Sequence, residues 1–211
     1  MSMAAPRWSR AGRALPYTEP YRLREHLFTL RGSPPSILSV VLGGSLPVLA
    51  PPETLLWCGQ DLAVGTVATP APGPLLSLSG MGGAAFRSLE FGRLVLLHLP
   101  PGTGLLVRWA RLVCLSGVAC APDPSAAQGA RVLCSADDGP GLLAIGVARA
   151  AFELELGAGE SLAVAEECLL WTGEELMLRP WGPFASLLCC AGPGLIALDM
   201  AGAPAPAKGR S

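Results

Sequence analysis

The sequence predicts an all-β protein, either a β-sandwich or a rolled barrel, assembled from three repeats of about four short strands each. The chain has 26 Gly and 21 Pro among 211 residues, and this density of helix-breaking residues leaves little room for long helices. Apolar and polar residues alternate in Phe-Glu-Leu-Glu-Leu at 152–156, which is typical of a strand with one buried face. A strand–turn–strand phrase also recurs at nearly constant spacing, which indicates a repeat architecture.

Residues 1–35 are interpreted as a basic N-terminal arm. Residues 1–31 contain six Arg and two Glu, and the first part of this segment resembles a mitochondrial transit peptide in being rich in Arg and Ala and poor in acids. An address that is not cleaved and a structured arm are the alternatives. Side chains suited to contact a partner are Arg7, Arg10 and Arg13.

Three units are predicted to follow, at about 36–80, 92–147 and 150–200. Each reads as an apolar strand, a Gly/Pro turn, a second strand and a closing Gly, and its second half contains another strand–turn–strand, as in SLLCCAGPGLIAL. Because Gly readily adopts positive φ and Pro fixes a turn-compatible φ, these sites are expected to be turns. The turn glycines are Gly44, Gly102 and Gly159, and the closing glycines are Gly59, Gly117 and Gly173.

The apolar pattern of individual strands predicts where they are buried. RLVLLHL at 93–99 and RVLCSA at 131–136 are apolar on both faces, so they are expected to lie between sheets or against a partner. The Ala- and Pro-rich residues 201–211 are predicted to form a C-terminal tail outside this core.

The third unit carries a family resemblance. LELGAGESLAVAEECLLWTG, followed by FASLLCCAGPGLIALDM, resembles the mitochondrial-biogenesis family named for altered inheritance of mitochondria, best over 150–200 and more loosely over 36–200. The resemblance implies a fold like that of the trp RNA-binding attenuation protein, a β-sandwich of the double-stranded β-helix type with pseudo-threefold symmetry. It also implies association with the mitochondrial inner membrane, and it carries over no catalytic residue. The first unit departs from the pattern because it lacks the acid that follows the turn glycine at Glu160.

The residues offer little for catalysis or metal binding. The two histidines, His26 and His98, lie in different segments, and a metal centre of the cupin kind needs several His and a carboxylate that converge. The paired acids at 166–167 and 174–175 are expected at solvated turns. We therefore expect no enzymatic activity, no metal and no cofactor.

The seven Cys are odd in number and form no CxxC pair, and most lie in apolar runs. The favoured interpretation is that they are reduced, buried and structural. A disulfide framework and a metal or redox role are the alternatives. Reduced thiols favour an intracellular or organellar matrix compartment.

The distribution of charge limits which classes of partner the sequence predicts. A net charge of −1 gives the whole chain no polyanion-binding signature, so DNA is not expected and RNA only within a ribosome. The basic arm is also compatible with peripheral contact to anionic lipid. In the segment VRWAR, Arg108 is expected to lie opposite Trp109 across a strand. This segment is interpreted as structural, as a contact to a protein partner, or as a contact to nucleic acid. The residues concerned are Arg108, Trp109 and Arg111.

The longest apolar stretch, at 36–57, is interrupted by Gly and Pro, so no transmembrane helix is expected. High apolar content and low charge favour a surface that other subunits cover. The sequence thus predicts a non-catalytic accessory or scaffold subunit of a large mitochondrial assembly, in the matrix or on the matrix side of the inner membrane. The alternatives are a solitary barrel that binds an apolar ligand or lipid, and an RNA-binding protein.

Overall fold

The fold is all-β, as the sequence predicts. A computed structural model describes residues 20–69, 72–88, 92–123, 131–182 and 184–199. Within these residues lie eighteen strands, joined in antiparallel pairs, and three 3-10 turns. The first six strands are β1 (Tyr21–Leu23), β2 (His26–Arg31), β3 (Ile37–Ala50), β4 (Leu55–Cys58), β5 (Leu62–Val67) and β6 (Leu75–Arg87).

Twelve shorter strands follow, six in each of two consecutive segments. The first of these segments contains β7 (Arg93–Leu99), β8 (Thr103–Arg108), β9 (Leu112–Ser116), β10 (Ala119–Pro122), β11 (Arg131–Ala136) and β12 (Gly141–Val147). The second contains β13 (Ala151–Leu156), β14 (Ser161–Ala165), β15 (Leu169–Gly173), β16 (Met177–Trp181), β17 (Phe184–Ala191) and β18 (Gly194–Asp199).

The strands form three sheets. The largest has nine strands, ordered β1-β2-β3-β9-β12-β7, with β6 paired to β3 and with β4 and β5 paired to β6. The second has the order β10-β11-β8-β15-β18-β13, and the third has the order β14-β17-β16. Residues 21–31, which the sequence analysis assigns to the arm, instead form a hairpin whose second strand pairs with β3.

The same pairings recur in the last two segments. In one, β12 pairs with β7 and β9, and β11 pairs with β8 and β10. In the other, β18 pairs with β13 and β15, and β17 pairs with β14 and β16. In the first segment the long strands β3 and β6 make the corresponding pairings along their two halves, with β4 and β5 on β6. The interpretation of the three segments as copies of one repeat stays a prediction.

The last two segments have six strands instead of the expected four because a 3-10 turn breaks each predicted second strand and because a further short strand, β10 or β16, follows; a 3-10 turn also breaks the second strand of the first unit. These turns are equally spaced along the chain, at Pro52–Thr54, Trp109–Arg111 and Glu166–Cys168. The residues on both sides of each turn keep extended backbone torsions, so the chain re-enters a strand at once. The second and third turns move the chain from one sheet to another, from β8 to β9 and from β14 to β15, whereas the first joins β3 to β4 within the nine-stranded sheet.

The turn expected at Gly44 is wrong, whereas those at Gly102 and Gly159 are present with φ of 71° and 82°. In the first segment β3 continues through residues 43–47, and its register with β6 shifts between Gly44 and Val48. The buried ring of His26 contacts the strand at this register shift, because its Nδ1 accepts from the Gly43 amide at 3.2 Å and its Nε2 donates to the Leu46 carbonyl at 2.8 Å. Neither contact can be read from a local turn pattern.

The core consists of three apolar clusters. One lies between the nine-stranded and six-stranded sheets, one covers the other face of the nine-stranded sheet, and one lies between the six-stranded and three-stranded sheets. Strand β7 contributes to the first two clusters with alternate side chains, which confirms the prediction that 93–99 is buried on both faces. Strand β12 does the same and is buried along its whole length.

Candidate interaction surface

Three of the residues predicted to contact a partner, Arg7, Arg10 and Arg13, lie outside the described residues. The other three lie close together in sequence but not on one strand. Arg108 ends β8, whereas Trp109 and Arg111 belong to the 3-10 turn that follows. The expected alternation of Arg108 and Trp109 across a strand is therefore wrong, because the strand ends before Trp109.

Arg111 forms a buried ion pair within the chain. Its Nη1 donates to Oδ2 of Asp199 at 2.7 Å, and the two side chains are 7% and 1% exposed. Asp199 also accepts from the backbone amides of Ala148 and Arg149, at 2.8 and 3.4 Å. Losing one partner of such a pair leaves a buried charge uncompensated, which costs about 3–5 kcal/mol. Arg111 thus joins the end of the last strand to the turn after β8.

Arg108 and Trp109 also make internal contacts. Nη1 of Arg108 donates to the carbonyls of Glu166 and Glu167, at 3.3 and 3.0 Å, and Nη2 of Arg111 donates to the Glu167 carbonyl at 3.2 Å. Trp109 is half-buried against the first core cluster. The two guanidinium groups therefore link the second 3-10 turn to the third, and a partner contact at Arg108, Trp109 and Arg111 stays a prediction.

The histidines do not come together with acids or thiols as a metal site. His26 is buried at the register shift of β3, and the ring of His98 lies 5.8 Å from the ring of Tyr21. In the described part of the chain no group of three or more His, Cys, Asp or Glu side chains is placed to hold a metal ion. The paired acids at 166–167 and 174–175 do fall on a 3-10 turn and on a turn after β15.

Sequence reasoning missed a group of exposed apolar side chains on and beside strand β4. Strand β4 pairs only with β6 among the described strands, so its second edge carries no partner strand there. Its Trp57 is 54% exposed and its Leu56 is 39% exposed. A Cβ on Gly83 would lie only 3.0 Å from Cη2 of Trp57, so the indole lies directly over that glycine.

Further apolar side chains lie on the same face as Trp57. In the register of β3 and β6, Val41 stands opposite Gly83, Gly43 opposite Met81, and Ile37 opposite Arg87. Since alternate residues of a strand share one face, these positions all lie on the side where Trp57 covers Gly83. The exposed apolar residues of this β4 face are Ile37 (38%), Val41 (56%), Trp57 (54%) and Met81 (74%), and Arg87 is exposed at its end beside Ile37.

The pairings of the other two segments indicate which strand would lie beside the open edge of β4. The strand after the second 3-10 turn, β9, pairs with β3, and the strand after the third, β15, pairs with β8. By the same pattern, the strand after the first turn, β4, would pair with β14. No such pairing is present among the described residues, where β14 pairs only with β17. Among the described strands, β4 and β14 therefore each have an open edge at the position where this pattern would place a partner strand.

Comparisons with known proteins bear on the fold alone. No family model and no curated protein matches this sequence. Among solved structures, the chain is similar to a crystal structure of a Streptococcus pyogenes protein from a structural-genomics programme, with a TM-score of 0.64 and 13% identity. The match covers 82% of this chain and 93% of the other. This similarity supports the all-β fold, and the resemblance to the mitochondrial family stays a prediction. No described helix is long and apolar enough to cross a bilayer.

Proposed function

We propose that this protein is a non-catalytic scaffold subunit that binds a β-strand of another subunit along the open edge of β4. The observation that carries the proposal is the exposure of Leu56 and Trp57 beside an unpaired strand edge. A strand added at such an edge gains main-chain hydrogen bonds, while alternate side chains of the face provide specificity.

The chemistry of the β4 face suits a protein partner. Four of its exposed side chains are apolar and the fifth belongs to Arg87, and Trp, Met and Arg are residue types that are enriched at protein interfaces. Exposed edge strands also favour aggregation unless charge, proline or a covering element protects them. Strand β4, with sequence Leu-Leu-Trp-Cys, carries no charge or proline, and only its four-residue length and the register shift in its pairing with β6 protect it, so a partner would shield its exposed side chains further.

The assembly we propose is a large mitochondrial complex, such as a respiratory enzyme, ATP synthase or mitochondrial ribosome, with the chain in the matrix or on the matrix side of the inner membrane. The Arg-rich residues 1–31 support this location by their composition. Low overall charge and high apolar content support a subunit whose surface other proteins cover.

The test compares the full-length chain with Trp57→Ala and Trp181→Ala in mitochondrial extract. Trp181 is 46% exposed on β16, so its variant loses a similar exposed ring at another site. Native-size separation and mass spectrometry of the co-migrating proteins should place the unaltered chain and Trp181→Ala in one large complex with fixed partners. Trp57→Ala should migrate near monomer size. Equal migration of all three in the complex would reject the β4 site, and migration of the unaltered chain as a monomer would reject the scaffold function.

A further inference from the structure

Two of the seven cysteines face each other across neighbouring strands. Cys120 of β10 and Cys134 of β11 are directly opposite in the strand register, and their sulfur atoms lie 3.5 Å apart in hydrogen-bond contact. All seven cysteines lie in the described residues, and all are free thiols there. The remaining five are Cys58, Cys114, Cys168, Cys189 and Cys190.

The backbone geometry at this pair suits a covalent bond. The Asp123 amide donates to the Arg131 carbonyl at 3.2 Å, which marks a hydrogen-bonded pair three positions away in the ladder. Since hydrogen-bonded and non-hydrogen-bonded pairs alternate, Cys120 and Cys134 form a non-hydrogen-bonded pair. Such pairs hold their Cα atoms about 4.5 Å apart, within the roughly 4.4–6.8 Å range of disulfides.

Two further features fix the hairpin in this register. Pro122 stands opposite Val132 at the next non-hydrogen-bonded position, where its missing N–H would point away from β11. The Arg131 Nε donates to Oδ2 of Asp123 at 2.9 Å in a buried ion pair. The two sulfur atoms are therefore held in proximity by the strand pairing itself, and need only approach to about 2.05 Å.

The two thiols differ in access. β10 is the outermost strand of its sheet and Cys120 is half-buried, whereas Cys134 is fully buried in the first core cluster. The hydrogen bond from the Cys134 thiol lowers the pKa of Cys120, against the opposing effect of burial. The same hydrogen bond, together with burial, raises the pKa of Cys134. Because the thiolate is the nucleophile, Cys120 is the thiol that reacts first with an oxidant.

We propose that Cys120 and Cys134 form a reversible disulfide when the protein meets hydrogen peroxide. The Cys120 thiolate attacks one peroxide oxygen, so that an S–O bond forms, the O–O bond breaks and hydroxide leaves. The Cys134 thiol loses its proton and attacks the Cys120 sulfur, so that the S–S bond forms and the second oxygen leaves as water. Overall two thiols are oxidised to one disulfide, and one peroxide is reduced to two waters. A dithiol reductant reverses the change.

In the test, the full-length protein is oxidised with hydrogen peroxide and then denatured in the presence of an alkylating agent. The number of free thiols is measured as the number of alkylated cysteines. The count should fall from the seven of the sequence by one pair, and return after dithiothreitol. Trypsin cleavage after Arg111, Arg131 and Arg149 places Cys120 and Cys134 on separate peptides. Mass spectrometry should find those two peptides joined, and fragment ions should assign the bond to Cys120 rather than Cys114.

Matched variants separate this site from general oxidation. Cys58→Ala removes another half-buried thiol and should still form the joined peptide. Cys134→Ala should not, and its oxidised Cys120 should instead be captured by dimedone as a sulfenic acid. The disulfide should also raise the Tm of the unaltered protein by several degrees, reversibly with dithiothreitol. Peptides joined through other cysteines, or Cys120 and Cys134 alkylated as readily as Cys58 after peroxide, would overturn the proposal.

Discussion

Strands β4 and β15 have almost the same sequence and opposite environments. Leu-Leu-Trp-Cys-Gly begins at Leu55, directly after the first 3-10 turn, and Leu-Leu-Trp-Thr-Gly begins at Leu169, directly after the third. Trp171 is fully buried, whereas Trp57 is 54% exposed. The difference lies in the second edge: β15 pairs with both β18 and β8, and β4 pairs only with β6 among the described strands. Burial of the same side chain is thus decided by the neighbouring strand and not by the local sequence.

Replacing each Trp by Ala tests most directly whether the two strands differ in packing. Trp171→Ala should lower the free energy of unfolding by about 3–5 kcal/mol, because it leaves a cavity in the first core cluster. Trp57→Ala should cost less than about 1 kcal/mol, because its ring is already half in solvent. Urea denaturation of the purified variants measures both values. Equal losses would show that β4 is as well packed as β15.

The 3-10 turns before β4 and β15 provide a second test, since among the described residues arginine side chains contact only the turn before β15. Arg111→Leu removes the partner of buried Asp199 and the bond to the Glu167 carbonyl. We expect a loss of about 3 kcal/mol of unfolding free energy by the same denaturation measurement. Arg149→Leu is the control, because it removes an exposed arginine side chain and keeps the backbone amide that donates to the same carboxylate. A loss below about 1 kcal/mol for Arg111→Leu would contradict the assigned role of the ion pair.

The turn before β4 is held by a neutral side chain, so its removal should cost less. The buried Thr54 hydroxyl lies 2.8 Å from both the Pro51 and the Val113 carbonyl oxygens, and its single proton serves one or both of them. Thr54→Val keeps the shape and leaves a buried carbonyl without this donor, which should cost about 1–3 kcal/mol. Thermal unfolding checks the value, with the hydroxyl-preserving variant Thr54→Ser as control. Equal stability of Thr54→Val and the unaltered chain would show that these bonds add nothing to the turn.

The smallest effect is expected where Trp57 lies over Gly83. A methyl group at Gly83 would sit 3.0 Å from the indole, so the ring must move outwards. Because the β4 face is open, this should cost less than about 1 kcal/mol and leave the fold intact. The emission spectrum of Trp57 is obtained by subtracting the spectrum of a chain that carries Trp57→Ala from that of the same chain with Trp57. In the Gly83→Ala background this emission should lie at longer wavelength than in the unaltered background. An unshifted emission would show that the ring does not lie on Gly83.

The comparison also shows how much of the site was predictable. Turn and strand patterns predicted the all-β class, the turns at Gly102 and Gly159, and the double burial of residues 93–99. The same patterns placed Arg108, Trp109 and Arg111 on one strand, because a single 3-10 turn flanked by extended residues leaves no clear sequence signal. The near-identity of residues 55–59 and 169–173 was visible as part of a repeat, yet nothing in either segment distinguishes a covered edge from an open one.

By itself, the sequence determined the all-β class and the turns at Gly102 and Gly159, since these depend on φ preferences and on the apolar alternation of neighbouring residues. The tertiary structure decided which edges are paired, because a strand's second partner comes from residues far along the chain. It also decided that His26 contacts β3 at Gly43, that Arg111 meets Asp199 inside the protein, and that Cys120 faces Cys134. Each of these contacts depends on a register between strands, and a register shift of one residue would turn every side chain to the opposite face.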